Sequence, residues 1–276
     1  MLTDHETCTA PGTGQIEVTR SAGRSIVARA YATSPLRLLT PRNHGDAAWI
    51  YAASYGGGLL GGDRVAMSVR VESGACAFLS TQASTKIYRS DRPAALELSA
   101  TIGPSAQLVV WPDPVVCFAG SSYRQRQQFD VDGTGGLVLV DWMTSGRRGS
   151  GERWRFTRYD SRLTIRVDGR LVLLDALALD AGDGDLRSRM GRFDVVGAAA
   201  LVGAAVRGPI DEILTRISAI PFERRPDLLL SVAPLANMGC IVRVAGRSVQ
   251  DVARVLGHNL AFVSALLGDD PWARKW

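Results

Sequence analysis

An alternation of apolar and polar residues recurs along this chain of 276 residues and limits what it can fold into. The clearest case is the segment 64–72, in which every second residue from Val65 to Val71 is apolar and the residues between are polar or small. A period of two places side chains alternately on the two faces of a β-strand, so one face suits a core and the other suits water. The segment therefore predicts a half-buried strand.

Further segments have strand-like patterns and are separated by Gly, Pro, Asn and Asp, which favour turns. The additional predicted strands are Gln15 to Thr19, Cys76 to Thr81, Lys86 to Arg89, Leu96 to Ala100, Gln107 to Trp111, Tyr123 to Val131, Gly136 to Trp142, Arg153 to Tyr159, Leu163 to Val167, Leu171 to Leu179, Asp194 to Val206, Leu228 to Val232 and Cys240 to Val244. So many strands predict a mainly β fold.

Two segments have helical spacing instead. The first follows Pro209 and places apolar residues on one face, namely Ile210, Ile213, Leu214, Ile217 and Ile220. Asp211 and Glu212 are expected in its first turn, where the helix dipole favours acids.

The second predicted helix lies near the end of the chain. Ser248 and Asp251 resemble a capping box at its start, and Gly268 is the expected C-cap. The residues at helical spacing between them are Val252, Val255, Leu256, Asn259, Val263 and Leu266. The chain is thus predicted to end in an amphipathic helix.

Composition places the chain among ordinary globular proteins. Hydrophobic residues make up 46% of it and the mean hydropathy is +0.04, so a chain of this length can bury a full core. It contains no composition break, fixed repeat or low-complexity tract. We predict a flexible N-terminal segment, residues 1–14, followed by a single domain, residues 15–276.

The distribution of charge argues against nucleic-acid binding. The net charge is +5, but the 32 basic residues are mixed with 27 acidic ones and form no clustered stripe. The densest basic runs, YRQRQQ and RRGSGERWRFTR, are expected to be solvated faces.

We expect a cytoplasmic protein with no membrane anchor. The longest apolar run, Val195 to Val206, has twelve residues and is too short to span a bilayer. The first residues are polar and acidic and lack the basic start and apolar core of a secretory signal. Because Cys8, Cys76, Cys117 and Cys240 lie far apart, neither a zinc ribbon nor a dense disulfide framework is predicted.

The sequence SYGGGLLGGDR, residues Ser54 to Arg64, contains the spacing G-x-G-x-x-G in Gly56, Gly58 and Gly61. Before a helix, this spacing binds a dinucleotide pyrophosphate. Here the glycines precede a predicted strand, and Asp63 at the end of the loop would repel phosphate. A nucleotide- or flavin-dependent oxidoreductase is the alternative function that this loop raises, and a tight turn capped by Asp63 is the competing structural interpretation.

Five motifs follow one another along the chain. GGGLLGGDR includes Gly57, Gly58, Gly61 and Gly62, and ACAFLSTQASTKIYRS includes Thr81, Gln82, Thr85, Lys86 and Tyr88. Next come WPDPVVCFAGSSYRQ, then LVDWMTSGRRGSGERWRF with Gly146 and Arg147, and finally PWARKW. In this order the motifs closely resemble the signature of the UreD (also called UreH) family of urease accessory proteins, over roughly residues 15–276. Departures are modest, such as Ser80 where Thr is usual and SGRRGSGE in place of a commoner wording.

The resemblance implies a non-catalytic scaffold or chaperone for metallocentre assembly. Members of this family assemble with UreF, a helical protein, and UreG, a nickel-carrying GTPase, and dock on apo-urease so that nickel insertion can take place. The resemblance also implies a layered, β-helix-like winding of sheets with a few helices. It implies no tightly bound cofactor, only Ni²⁺ in transit, and it leaves nucleotide chemistry to UreG.

Histidine is too sparse for a tight, preformed nickel site with nitrogen and sulfur ligands. The chain has only His5, His44 and His258, with no close pair. Carboxylates are more informative. Asp141 shares a predicted strand face with leucines, and so does Asp175 in LVLLDALALD.

A charge among apolar neighbours is costly unless it is paired, hydrogen bonded or in contact with water. Two hypotheses are therefore open. In the first, these acids pair with cations from the set Arg64, Lys86, Arg147 and Arg148. In the second, a wet internal passage for hydrated Ni²⁺ is lined by Asp63, Asp141, Asp175 and Glu152. Weak oxygen ligands would suit a passage because it must release what it binds.

Two surfaces are candidates for partner contacts. Lys86 and Tyr88 are expected on an exposed edge, although the hydroxyls around them could simply satisfy backbone groups. The C-terminal helix with Trp272 and Trp276 offers apolar surface to UreF or urease, and packing on the protein's own sheet is the alternative.

Overall fold

The computed structural model describes residues 10–221 and 223–273. His5, Cys8 and Trp276 lie outside the described residues. Seventeen strands occur in the described part, in the order β1 (Thr13–Ser21), β2 (Arg24–Ala32), β3 (Leu36–Leu39), β4 (Ala48–Ser54), β5 (Arg64–Val71), β6 (Cys76–Thr81), β7 (Lys86–Ile87), β8 (Ala94–Ile102), β9 (Gln107–Val110), β10 (Val115–Cys117), β11 (Ser122–Val131), β12 (Gly136–Thr144), β13 (Arg158–Val167), β14 (Arg170–Asp180), β15 (Val195–Val202), β16 (Leu228–Leu235) and β17 (Gly239–Gly246). The α-helices there are α1 (Leu186–Met190), α2 (Arg207–Ser218), α3 (Val249–Asn259) and α4 (Phe262–Leu267).

The strands form two sheets. Sheet 1 has the order β14-β13-β11-β8-β5-β1-β2. Sheet 2 has the main order β16-β17-β15-β12-β9-β6-β4-β3, and the short strands β10 and β7 join it beside β12. Antiparallel strands form both ends of each sheet, and parallel strands form the middle.

From β4 to β13 the chain alternates between the sheets, apart from the short strands β7 and β10. Each crossing adds a parallel strand beside the previous one, so β5, β8, β11 and β13 are parallel in sheet 1. In the same way β4, β6, β9 and β12 are parallel in sheet 2. This is a β-helix-like winding of layered sheets, and the predicted fold class is confirmed.

Apolar residues from the facing sheets form the main core. In β5 every second residue from Val65 to Val71 is buried and the residues between are more exposed, as the alternation predicts. Leu79, Leu108 and Leu137 of sheet 2 belong to the same core. The other face of sheet 2 packs on helices, so the molecule has three layers: sheet 1, sheet 2 and the helices.

Helix α2 confirms the predicted apolar face and corrects the predicted start. Ile210, Ile213 and Ile217 are buried against sheet 2. The helix begins at Arg207, so Asp211 and Glu212 lie beyond its first turn, contrary to the prediction. Ile220 was expected on the same face, but it lies beyond the helix and is 51% exposed.

The predicted C-terminal helix is two helices, α3 and α4, separated by residues 260 and 261. The predicted N-cap is confirmed, because Ser248 Oγ accepts a hydrogen bond from the Asp251 N–H at 3.1 Å and donates to the Asp251 carboxylate at 2.6 Å. Gly268 has a φ of +71° and ends α4, as predicted. Of the helices in residues 10–221 and 223–273, none combines the length and apolarity that crossing a membrane requires.

Three strand predictions need correction. The strand predicted as Lys86 to Arg89 ends at Ile87. The segment predicted as Arg153 to Tyr159 is irregular up to Thr157, where Trp154 has a φ of +55°, and β13 begins only at Arg158. The strand predicted up to Val206 ends at Val202. Strands β2, β3, β4 and β10 and helix α1 were not predicted.

Candidate functional site

The glycine loop, residues 55–62, lies along the segment 86–92 and is hydrogen bonded to it. The Leu59 N–H donates to the Lys86 carbonyl at 2.8 Å, and the Tyr88 N–H donates to the Leu59 carbonyl at 3.0 Å. The motifs GGGLLGGDR and ACAFLSTQASTKIYRS are therefore hydrogen bonded to each other in the structure.

The glycines of this loop are needed for two physical reasons. A Cβ on Gly58 would lie 2.5 Å from the Lys86 carbonyl oxygen, and a Cβ on Gly61 would lie 1.7 Å from Ser90 Oγ, so neither position has room for a side chain. The other reason is a positive φ, which non-glycine residues rarely adopt, at Gly56, Gly57 and Gly62. Neither reason involves a phosphate.

Asp63 caps this turn. Its carboxylate accepts a hydrogen bond from the Leu60 N–H at 2.8 Å, and its own N–H donates to the Leu60 carbonyl at 3.0 Å. Strand β5 begins at the next residue, Arg64. The loop thus leads into a strand and has the geometry of a capped turn, without the helix start that a dinucleotide site uses.

The loop after β12 holds an ion pair that joins it to the glycine loop. The Arg147 guanidinium pairs with the Glu152 carboxylate and lies 4.2 Å from the centre of the Phe118 ring. The Phe118 ring meets the Tyr88 ring edge to face, 5.2 Å between centroids. The hydrogen bond from Arg147 holds the pKa of the Glu152 carboxyl below its ordinary value, and the Ala119 N–H also donates to this carboxylate at 3.1 Å.

Other motif residues connect neighbouring loops, by close packing at Gly146 and by hydrogen bonds at Thr81. Gly146 has a φ of +108°, and a Cβ there would lie 2.5 Å from the Glu152 carbonyl oxygen. Thr81 Oγ1 accepts from the Asp113 N–H at 2.8 Å and donates to the Asp113 carboxylate at 3.1 Å. The side chain of Lys86 is exposed and forms no ion pair within the described residues.

The backbone of the TQASTK segment is also bound to its neighbours. The Gln82 N–H donates to the Ala52 carbonyl at 3.0 Å, and the Val116 N–H donates to the Thr85 carbonyl at 2.9 Å. The motif residues of these loops therefore lie together at one end of the winding, where backbone hydrogen bonds link their segments.

A second polar group lies between the sheets, around Asp141 of β12. Its carboxylate accepts hydrogen bonds from Gln125 Nε2 at 2.9 Å, from Gln127 Nε2 at 3.1 Å and from Ser161 Oγ at 3.2 Å. The Tyr123 hydroxyl donates to Gln125 Oε1 at 3.1 Å, which orients that amide. The amide and hydroxyl groups that donate to Asp141 are neutral. Within the described residues no Lys, Arg or His forms an ion pair with Asp141.

Strand alternation brings these donors to Asp141. In β11 the residues Tyr123, Gln125 and Gln127 point inward and are buried, whereas Arg124 and Arg126 point outward. The YRQRQQ run, predicted to be a solvated face, is therefore solvated only at alternate positions. Gln125 lies in register with Ser161 of β13, so both reach the same carboxylate.

A cavity of about 580 Å³ adjoins Asp141 and extends to β14 and β16, the edge strands of the two sheets. We call it the inter-sheet cavity. Its walls are mainly apolar, and its polar lining includes Asp141, Ser161, Asp175, Ser231 and Arg243. Arg243 Nη2 lies 2.6 Å from Asp175 Oδ1, so Asp175 is paired while Asp141 is not.

Burial changes the acidity of the groups around the cavity. It raises the pKa of the Asp141 carboxyl above its ordinary value; hydrogen bonds from Gln125 and Ser161 act in the opposite direction, and the charge of Asp175 adds to the increase. Burial, followed by the charge of Asp141, raises the pKa of the Tyr123 and Tyr159 hydroxyls well above the ordinary value. These tyrosines are neutral hydrogen-bonding groups.

The four acids proposed from the sequence are thus divided between separate places. Asp141 and Asp175 line one cavity, whereas Asp63 caps the glycine turn and Glu152 is paired with Arg147. Arg64 pairs with Glu97 and Arg148 with Asp194, and neither meets a cavity acid. The sequence analysis did not identify Gln125, Gln127 and Arg243 as residues of the site. The two glutamines could have been found from the alternation of the YRQRQQ run, because they occupy its inward positions.

The described residues contain no group of three or more His, Cys, Asp or Glu side chains arranged to hold a metal ion. His44 and His258 are exposed and far apart in the chain. Burial raises the pKa of the Cys117 thiol to about 12, so this thiol is protonated at neutral pH.

The C-terminal tail packs on the protein itself as far as Trp272. The Trp272 ring lies against the Trp111 ring with centroids 4.5 Å apart, beside the core between sheet 2 and the helices. Packing on the protein's own sheet, the alternative raised for this tail, is therefore present at Trp272.

Comparison with known proteins agrees with the motifs. A model of the family described as UreD urease accessory protein matches residues 10–276. The chain is 49% identical over 265 residues to "Urease accessory protein UreD" of Sorangium cellulosum (strain So ce56), covering 96% of this chain and 84% of that protein. It is 43% identical over 265 residues to the protein of the same name in Anaeromyxobacter sp. (strain Fw109-5), covering 95% and 89%.

A plant protein is similar over nearly its whole length as well. The chain is 33% identical over 297 residues to "Urease accessory protein D" of Oryza sativa subsp. japonica, covering 97% of this chain and 96% of that protein. The match of the family model to residues 10–276 includes every motif quoted above and both sheets, which confirms the resemblance. The chain therefore belongs to the UreD family of urease accessory proteins.

Proposed function

We propose that this protein is a non-catalytic scaffold that acts with UreF and UreG to deliver Ni²⁺ to the active site of apo-urease. Ni²⁺ is its cargo and is held only in transit. The inter-sheet cavity, with Asp141 and Asp175, is the part of the protein through which the ion moves. Asp63 and Glu152, which have structural partners outside the cavity, are left out of this passage.

The environment of Asp141 is the observation that supports this proposal best. A carboxylate held by two amides and one hydroxyl, without a cation, leaves a negative charge facing a cavity. A structural acid in such a place normally has an Arg or Lys partner, because an unpaired buried charge is costly. A positively charged cargo would lower that cost while it occupies the cavity.

The ligand chemistry also suits transfer. Carboxylate and hydroxyl oxygens bind Ni²⁺ more weakly than a set of imidazoles and thiolates would, and the described residues bring no such set together. Weak binding by several oxygens allows an ion to enter and leave. Weak binding in the cavity would therefore be an advantage for a protein that hands its cargo on.

The test is Asp141→Asn in cells that express urease with its accessory proteins. We expect the nickel content of purified urease and its specific activity to fall several-fold, because the charge that favours Ni²⁺ in the cavity is gone. UreF and UreG should still co-purify with the variant, since Asp141 is partly buried between the two sheets and its carboxylate faces the cavity.

The matched control is Asp130→Asn, which removes a carboxylate from the exposed face of sheet 1, where it accepts a hydrogen bond from Gln128 at 3.2 Å. This variant should load urease normally. Full nickel loading by Asp141→Asn at normal protein levels would show that the cavity is not the route.

A further inference from the structure

Arg243 is the only cationic side chain that lines the inter-sheet cavity within the described residues. It lies in β17 in register with Ala198 of β15, which is itself in register with Asp141 of β12. Residues directly opposite one another in antiparallel strands share a face. Asp141, Ala198 and Arg243 therefore form one row on the inner face of sheet 2, with the small Ala198 between the two charges.

Arg243 nevertheless pairs across the cavity, with Asp175 of sheet 1. Arg243 Nη2 lies 2.6 Å from Asp175 Oδ1, and the two side chains are 50% and 30% exposed. Asp175 belongs to β14, the edge strand of sheet 1, and β17 is next to the edge strand of sheet 2, whereas β12 is farther in. The pair thus joins the two sheets near the edge, and Asp141 lies deeper.

This position gives the pair a direct effect on any cation that enters. A dication that binds Asp175 competes with the guanidinium for the same carboxylate, and the two positive charges repel each other. A half-exposed ion pair contributes little to stability, so it can open readily. Opening would free a carboxylate near the entrance without disturbing the hydrogen bonds of Asp141.

We propose that Arg243 is a built-in competitor of the cargo cation. It occupies Asp175 while the cavity is empty, moves away when Ni²⁺ binds, and favours release by pairing with Asp175 again. This inference rests on the proposed passage and assigns to Arg243 the role of setting how weakly the passage holds its cargo.

The test is Ni²⁺ binding by the purified full-length chain, measured by equilibrium dialysis. We expect Arg243→Gln to bind Ni²⁺ on the order of tenfold more tightly than the unmodified protein, because one repelling charge is lost and one carboxylate is freed. Arg243→Lys keeps the charge and should bind close to the unmodified level. The double variant Arg243→Gln with Asp175→Asn should lose the gain.

Either of two results would overturn the proposal. One is equal or undetectable binding by Arg243→Gln and the unmodified protein. The other is a gain that survives in the double variant, because the extra binding would then lie away from Asp175. Far-ultraviolet circular dichroism of each variant checks that it is folded, and Arg243→Lys provides a second, milder change at the same position.

The outcome is separable from that of the proposed function. This assay uses the chain alone, whereas the Asp141→Asn test measures nickel in urease from cells. Tighter binding by Arg243→Gln with normal loading by Asp141→Asn would show that Arg243 competes with a cation at Asp175, but it would reject the passage. Unchanged Ni²⁺ binding by Arg243→Gln with poor nickel loading by Asp141→Asn would support the passage and reject the competitor role of Arg243.

Discussion

Asp141 couples the fold to pH, because its acid form suits the interior better than its charged form. Burial raises the pKa of this carboxyl above the ordinary value of 3.8. The folded state therefore binds the proton more strongly than the unfolded state does. The contribution of this group to stability is complete below the unfolded pKa and is lost as pH rises through the folded pKa.

We predict that Asp141→Asn gains stability relative to the unmodified protein as pH rises from about 4 to about 8, because asparagine has a similar shape and no charge to bury. Urea unfolding at a series of pH values measures the difference in free energy of unfolding between the two proteins. A difference that stays constant over this range would contradict the raised pKa. Asp130→Asn, on the exposed face of sheet 1, is the control and should show no such trend.

A second prediction concerns the close contact of the glycine loop with the segment 86–92. Gly61→Ala should destabilise the protein by about 1–3 kcal/mol, because a Cβ would lie 1.7 Å from Ser90 Oγ and 2.6 Å from the Arg92 carbonyl oxygen. Gly149→Ala is the matched control, since a Cβ there meets nothing within 4 Å. Thermal unfolding of both variants would reveal the effect, and equal melting temperatures would show that the loop can move aside.

For single residues, the sequence predicts which face a side chain occupies better than it predicts the partner of that side chain. Alternation placed Asp141 on the same face as Leu137 and Leu139, and the structure has it there. It could not show that Arg243, 68 residues beyond Asp175 along the chain, would be the partner of that acid. The partner depends on how two sheets face each other, which is a property of the whole fold.

Among the elements, helix α3 allows a prediction with an internal control. Ser248→Ala removes the side chain that accepts a hydrogen bond from the Asp251 N–H, so we expect a loss of about 0.5–2 kcal/mol in the free energy of unfolding. Gly257→Ala lies in the same helix, and its Cβ would meet nothing within 4 Å. That change should stabilise the protein by up to about 1 kcal/mol. Changes of the same sign in urea unfolding would contradict this account of the helix.

Two of the strands missed from the sequence, β4 and β2, lack the combination of one covered and one open face that produces alternation. Strand β4 is covered on both faces, by the main core and by the helical layer, so its side chains do not alternate in polarity. Strand β2 is the edge strand of sheet 1 and is largely exposed, so it shows no apolar stripe. Period two identifies strands such as β5 and β11, which have one covered face and one open face.

Trp272 in the C-terminal tail either stabilises the layer of helices on sheet 2 or contacts a partner protein, and its substitution distinguishes the two roles. Trp272→Ala should lower the free energy of unfolding by about 2–4 kcal/mol, because the indole packs on Trp111. A Trp272→Phe variant, which keeps an aromatic ring, should recover most of the loss. Binding of UreF, measured alongside by co-purification, should remain if the tail serves the protein's own core. Unchanged stability together with lost UreF binding would assign Trp272 to the interface.

The alternation of the chain between two sheets has a consequence for how the protein reaches its native state. Strand β1 pairs with β5, some fifty residues later, and in each sheet the next parallel strand arrives only after a strand of the other sheet has been laid down. Such distant pairings make folding slow, and each unfinished sheet exposes a parallel edge on which another chain can grow. We expect the yield of refolding from urea to fall as protein concentration rises. During synthesis, nearly the whole chain must leave the ribosome before sheet 2 receives β15, β16 and β17.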